Sequence, residues 1–210
     1  MKVMLITGAT GTVGGHLVGR FHERYRILAQ GRDAQNLAKL QARYPTIETI
    51  VGDLHSPRLV EAVSASQLVI HAAAQRYADI ADRHCALTLD ANVTATHRLA
   101  DLAVRAEVER FVFVSTVEAS VPTSVYTMSK YLAERIVLEL SEEGYDAQFH
   151  ICRLERIVAP SGVEDAGDLI EFALTHASNG EILTPQTHRA LSLEPMTRRP
   201  LVSVQPRAAA

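Results

Sequence analysis

The sequence predicts an α/β protein built on a doubly wound parallel sheet, with a small C-terminal extension. Two observations carry this. Short β-rich runs alternate with amphipathic helical runs through most of the chain, a spacing that requires parallel pairing through right-handed crossovers. A glycine-rich turn at residues 8–14 joins the first such run to the first helical one. Size agrees: 210 residues, 47% hydrophobic and 21% charged, suit one well-buried domain rather than two.

Residues 2–7 form a short β-rich run that ends at the glycines. Residues 12–24 read as a helix, because Val13, Leu17, Val18 and Phe21 recur at helical spacing. Residues 25–30 give a second strand, followed by a helix that Asp33 caps and that carries Leu37 and Leu40. A third strand spans 46–51, and Ser56-Pro57 then opens a helix with a polar cap followed by proline. Residues 67–71 are a buried fourth strand. The long helical stretch after it is best defined over 92–105 by Val93, Leu99, Leu102 and Ala103. Residues 110–115 are a fifth strand, 127–141 a strong amphipathic helix and 147–153 a sixth strand. Beyond residue 159 the pattern changes to a helix around 168–177, a short strand near 181–184 and a proline- and arginine-rich end. The last residues, 205–210, are expected to fray.

A formal charge of −3 provides no basic field for nucleic acid or an anionic membrane. Two cysteines, Cys85 and Cys152, cannot build a disulfide framework and fit a reducing compartment. The opening residues run directly into a strand, and no apolar run approaches the ~20 residues that cross a bilayer. A cytoplasmic protein with a small-molecule substrate is the expectation.

The turn comprises Gly8, Thr10, Gly11, Thr12, Val13 and Gly14 between strand and helix. A helix N-terminus offers unpaired N–H groups and a positive dipole end to a pyrophosphate. Glycines at 8, 11 and 14 permit the tight turn, close approach of the phosphates and close helix–sheet packing. A dinucleotide-binding Rossmann domain over 1–158 is therefore expected, with 159–210 as a reduced substrate-binding extension. The ribose 2′ position is read near the end of the second strand, at Gln30-Gly31-Arg32-Asp33. No acid ends that strand, while Arg32 can pair with a 2′-phosphate, so NADP is the first expectation. Asp33 as a ribose ligand keeps NAD open, and Arg32 as a solvated loop cation is the bland alternative. Asp53, followed by Leu54, can bond the adenine amino group or simply hold a turn. Ala72, Ala73 and Ala74 follow the fourth strand, a row of small side chains where either the cofactor passes or the chain packs closely.

Tyr126 and Lys130 stand four residues apart at the start of the helix after the fifth strand, hence on one face. An ammonium beside a phenol is expected to lower its pKa toward working pH, and the same lysine can reach the nicotinamide ribose. Thr116, at the end of the fifth strand, can hold the substrate oxygen on the carbon that gains or loses hydride. A solvent-facing pair on an amphipathic helix is the alternative.

These motifs together resemble an extended short-chain dehydrogenase/reductase, most closely the polysaccharide-biosynthesis branch that acts on UDP-activated N-acetylhexosamines. The resemblance rests on TGATGTVG at residues 7–14, GRD at 31–33, GDL at 52–54, HAAA at 71–74, Asn92-Val93, STVEA at 115–119 and YTMSK at 126–130. It continues through Arg153 and Ser161-Gly162 to Met196-Thr197-Arg198, covering roughly residues 2–199. It implies a catalytic Thr116, Tyr126 and Lys130, substrate contacts at Arg76, Thr116 and Glu118, and a homodimer formed through helices 92–105 and 127–141. Two departures matter. Sugar dehydratases of this branch carry Thr-Asp-Lys where this chain has Thr116-Val117-Glu118, and Val117 has no proton to give a leaving hydroxyl. The substrate lobe of the family is also much longer.

Nine histidines form no H-E-x-x-H or clustered Cys/His spacing, so no metal is expected. His71 and His150 read as hydrogen-bonded packing residues, and both cysteines as buried rather than nucleophilic. No G-x-S-x-G elbow suggests a hydrolase. Glu134, Arg135, Glu139, Glu142 and Glu143 read as a solvated helix face. The resulting expectation is an NADP-dependent oxidoreductase acting on a nucleotide-activated sugar or related hydroxylated molecule. The alternatives are an epimerase or dehydratase with retained cofactor, and a non-catalytic NADP(H) sensor or assembly subunit.

Overall fold

A computed structural model describes residues 1–157 and 160–188. The chain alternates β1 (Val3–Thr7), α1 (Thr12–Phe21), β2 (Arg26–Gly31), α2 (Ala34–Arg43), β3 (Glu48–Val51), α3 (Pro57–Ser64) and β4 (Leu68–His71). Two short helices, α4 (Ala78–Arg83) and α5 (Cys85–Leu89), lead through a π-helical turn (Asp90–Thr94) into α6 (Ala95–Arg105). Then come β5 (Arg110–Thr116), a 3-10 turn (Val117–Ser120), α7 (Val125–Glu142), β6 (Gln148–Leu154), α8 (Pro160–Thr175) and β7 (Ile182–Leu183).

The seven strands form one parallel sheet in the order β3-β2-β1-β4-β5-β6-β7. This is the predicted doubly wound architecture. Alternation along each strand sends side chains to opposite faces. Met4 and Ile6, with Val112 and Val114, enter a core under α1, α2 and α8. Leu5, with Phe111 and Phe113, enters a second core under α3, α6 and α7.

Local chemistry explains most element boundaries. Asp33 accepts hydrogen bonds from the amides of Gln35 and Asn36, so it caps α2 as expected. Pro57 occupies the first turn of α3, although the Ser56 side chain makes no capping bond. Ser124 and Thr127 cap α7 reciprocally, which starts that helix two residues before the predicted 127.

Residues 160–188, the described part of the expected extension, pack directly on the sheet. Helix α8 packs Leu169, Ile170 and Ala173 into the first core, and β7 pairs with β6. Arg20 of α1 bonds Asp168 and Glu171 at 2.6 Å each, and Arg24 adds a second contact to Glu171. The motif at 196–198 and the end at 205–210 lie outside the described residues.

Candidate functional site

The strand order reverses between β1 and β4, the switch point at whose carboxyl strand ends open α/β sheets form a ligand crevice. The glycine turn forms one wall. Gly8 has φ +68°, and a Cβ on it would lie 2.7 Å from the backbone of Ala73. A Cβ on Gly14 would lie 2.2 Å from the Gly8 carbonyl oxygen. Glycine is thus required at both positions by backbone packed against backbone. Gly11 is the N-cap of α1 and bears no capping side chain, and the first turn of that helix contains no acid. The first-turn amides of Thr12, Val13 and Gly14 have no acceptor within the helix and face the crevice end. This cradle fits a diphosphate sterically and electrostatically. Thr10 lies against Gly31 at the end of β2, and Ala72 to Ala74 line the turn at the end of β4.

Arg32 and Asp53 are both exposed at neighbouring strand ends. Asp53 accepts a hydrogen bond from the His55 amide at 2.9 Å, holding the turn after β3, and Leu54 packs beneath it on the second core. Asp33 is occupied by its capping bonds. Sequence reasoning missed Gln30, which is 2% exposed. Its Nε2 donates to the Gly52 carbonyl at 2.6 Å and its Oε1 accepts the Gly8 amide at 3.4 Å, tying the ends of β1, β2 and β3 together. A polar residue in an otherwise apolar parallel strand was the available signal.

The opposite wall carries Thr116, Tyr126 and Lys130. Thr116 ends β5, and its hydroxyl accepts the Glu118 amide at 3.3 Å. Tyr126 lies half-buried in the first turn of α7. Burial raises its phenol pKa, the Glu118 carboxylate raises it further and Arg76 opposes both. This reverses the expected lowering by lysine. Lys130 is buried, donates to the Val114 carbonyl at 2.6 Å and lies 3.9 Å from the centroid of the Phe113 ring. Desolvation brings its pKa down to about 7 against the opposing pull of Glu134, so it is not a fixed cation.

Glu134 also departs from the expected solvated face, being 1% exposed. It accepts three bonds from Arg153, at 3.0 and 3.2 Å from Nε and 2.6 Å from Nη2, and one from the Ser115 hydroxyl. The signal for this was its spacing: position 134 follows Lys130 by four and shares its inward face. Cys152 is buried, its thiol pKa raised by desolvation, whereas Cys85 is exposed, contrary to expectation. His71 and His150 are buried and hydrogen-bonded as expected. Among the described residues no group of three His, Cys, Asp or Glu side chains could hold a metal ion, and no helix is long and apolar enough to cross a membrane.

Residues 4–163 match the family model described as polysaccharide biosynthesis protein. The chain belongs to this family. Its fold is that of the extended short-chain dehydrogenases/reductases, in agreement with the resemblance drawn from the motifs. One relative is an uncharacterized membrane protein of Methanocaldococcus jannaschii, 30% identical over 142 residues, which are 65% of this chain and 43% of that protein. Another is a UDP-glucose 4-epimerase of Rickettsia canadensis, 26% identical over 146 residues, with the same 65% and 43% coverage. The chain thus spans less than half the length of these two relatives. Among solved structures, the dTDP-glucose 4,6-dehydratase DesIV from Streptomyces venezuelae, with NAD and TYD bound, superposes with a TM-score of 0.74 at 20% identity. That match covers 90% of this chain and 79% of DesIV.

Proposed function

We propose that this chain binds NADP, with NAD as the alternative, and is a short-chain oxidoreductase acting on a nucleotide-activated sugar or a related hydroxylated molecule. The carrying observation is the cradle of Gly8 and Gly14, where a Cβ would collide with backbone, in a sheet whose β5 ends at Thr116 and is followed by the helix that carries Tyr126 in its first turn. Gly8, Thr10, Gly11, Thr12, Val13 and Gly14 hold the diphosphate. Arg32 meets a 2′-phosphate, Asp53 and Leu54 border the adenine, Ala72 to Ala74 leave room for the cofactor and Lys130 approaches its ribose.

A bound nicotinamide supplies or accepts hydride. Tyr126, kept as a neutral phenol by burial and by Glu118, gives a proton to the substrate carbonyl oxygen as the carbinol forms. Thr116 orients that oxygen and stabilises its developing charge. Arg76 and Glu118 flank the substrate at this wall. Reduction is the direction these residues assist, and oxidation requires Tyr126 to lose its proton with help from Arg76. Val117 offers no acid for dehydration.

The likeness to a UDP-glucose 4-epimerase supports a second reading, in which one carbon is oxidised and then reduced again by the same residues. A homodimer accompanies either reading, because Met128, Tyr131 and Leu132 form an exposed apolar stripe on α7.

Calorimetry with NADPH, NADH and UDP-glucose, followed by product analysis, tests the proposal. Tyr126→Phe is expected to lower turnover by at least ~100-fold while NADPH affinity stays within about twofold. Turnover retained in Tyr126→Phe sinks the mechanism. NADPH binding without turnover of any nucleotide sugar supports the sensor instead.

A further inference from the structure

Behind the two walls runs a line of buried polar groups that the proposed chemistry does not use. Thr7, His71 and Thr96 are each 0% exposed, and Asn92 is 2% exposed. The Thr7 hydroxyl lies 2.7 Å from His71 Nδ1, and His71 Nε2 lies 2.9 Å from the Thr96 hydroxyl. Thr96 Oγ1 is also 2.6 Å from the Asn92 carbonyl oxygen. A carbonyl only accepts, so the single Thr96 proton is committed to it. Thr96 must then accept from His71, which places the imidazole proton on Nε2. Nδ1 is left as an acceptor, and the Thr7 hydroxyl donates to it. The amide of Ala73 in turn donates to Thr7 at 3.4 Å. Every donor points the same way, from the turn after β4 through β1 and His71 to the π-helical turn.

Asn92 carries the line onward. Its Oδ1 accepts the Gln75 amide at 2.7 Å, and its Nδ2 donates to the Gln75 carbonyl at 3.0 Å and to the Ser129 hydroxyl at 2.9 Å. Ser129 donates to the Tyr126 carbonyl at 2.7 Å. The imidazole is stacked on Phe113, with ring centroids 5.6 Å apart, so it cannot turn freely.

We propose that His71, locked as the Nε2–H tautomer by Thr7 and Thr96, is a positioning residue that fixes the first turn of α7, and hence Tyr126, relative to the glycine turn. The role of Tyr126 in this statement rests on the function proposed above, whereas the tautomer and the mechanical link do not. Two strand ends and two helices meet the chain of bonds, and reversing one donor leaves two buried groups facing donor to donor or acceptor to acceptor. Burial, helped by the nearby Lys130, brings the His71 pKa down to about 3, so the imidazole stays neutral and the direction of the chain persists across neutral pH.

The test uses the whole protein. In ¹⁵N–¹H spectra of the wild type, His71 is expected to be protonated on Nε2 only, with no titration between about pH 5 and 9. An Nδ1–H tautomer or a titrating ring overturns the proposal. Thr96→Val is expected to speed amide exchange in the first turn of α7, and Thr96→Ser to restore it. Exchange unchanged in Thr96→Val overturns the mechanical link. If the wild type turns over a UDP-sugar, Thr96→Val should lower kcat by ~10- to 100-fold with NADPH affinity retained, and Thr96→Ser should recover it. A loss of NADPH affinity with unchanged kcat overturns the positioning role. Failure of the Tyr126→Phe experiment removes the catalytic reading alone, because the spectra and the exchange are read without turnover.

Discussion

The two walls of the crevice are built by different physics. The wall at the glycine turn, with the turn after β4, is made by backbone: Gly8 against Ala73, Gly14 against the Gly8 carbonyl, and a helix whose first turn bears no capping side chain. The opposite wall, from β5 through α7 to β6, is made by buried polar side chains that satisfy one another: Lys130 on Val114, Glu134 on Ser115 and Arg153, Asn92 on Ser129. Backbone contact of the first kind tolerates only one residue type and so marks the sequence. Pairing of the second kind depends on partners far apart in the chain and leaves a fainter mark.

Damage to the two walls should therefore differ in size and kind. The largest effect is expected from Gly14→Ala. The new methyl would sit 2.2 Å from one backbone atom and 2.8 Å from the Cα of Ala9, and no rotamer change relieves either contact. The cost is expected at about 5 kcal/mol or more, in the extreme tail of single substitutions. That is a large part of the stability of an ordinary domain. Urea titration should find the variant unfolded or nearly so. A variant of near-native stability would show that α1 can withdraw from β1, and the contrast between the walls would weaken.

Glu134→Ala comes next. It strands the Arg153 guanidinium, whose side chain is 17% exposed, and removes the acceptor of the Ser115 hydroxyl. A loss of about 3 kcal/mol is expected, near the lower end for a broken buried pair because Arg153 retains some water. Urea titration of Glu134→Ala beside the double variant Glu134→Ala/Arg153→Met sharpens the point. Removing both charges should restore part of the stability, since an uncompensated charge costs more than an absent pair.

The same contrast explains what the sequence revealed. The alternating strands and helices of the parallel sheet and the glycine turn were legible because periodicity two, periodicity 3.6 and the glycine spacing are local properties. Asp33 was legible as a cap for the same reason. Glu134 was misread as solvated because a run of charges after it, Arg135, Glu139, Glu142 and Glu143, hides its place four residues after Lys130 on the inward face. The phenol of Tyr126 was misread because its electrostatics depend on burial and on Glu118 and Arg76, not on helical spacing to a lysine. The bonding of Gln30 and Thr96 escaped notice because their partners, Gly52 and His71, lie 22 and 25 residues away in the chain and meet them only in the fold. The short strand near 181–184 was legible as well, and β7 (Ile182–Leu183) lies within it.

Lys130 gives the smallest and most discriminating effect. Its pKa is about 7 in the folded chain and near 10.5 when unfolded, because burial penalises the ammonium more than Glu134 stabilises it. Below about pH 7 both states carry the proton and the folded state bears the full cost. Between about pH 7 and 10.5 the folded chain has released its proton while the unfolded chain retains it, so stability from this group rises with pH. The slope is at most about 1.4 kcal/mol per pH unit. Lys130→Met should thus be the more stable protein at pH 7, by about 1 kcal/mol, and this advantage should vanish near pH 8 and reverse by pH 9, since the slope carries the difference through roughly 2 kcal/mol. Thermal melts of the two proteins side by side between pH 6.5 and 9 isolate the effect, because every other titrating group is common to both. A constant difference across that range would mean that the ammonium stays charged on the Val114 carbonyl and Phe113 ring. The second wall would then hold a fixed cation after all, and the phenol beside it would have to be reconsidered as a base.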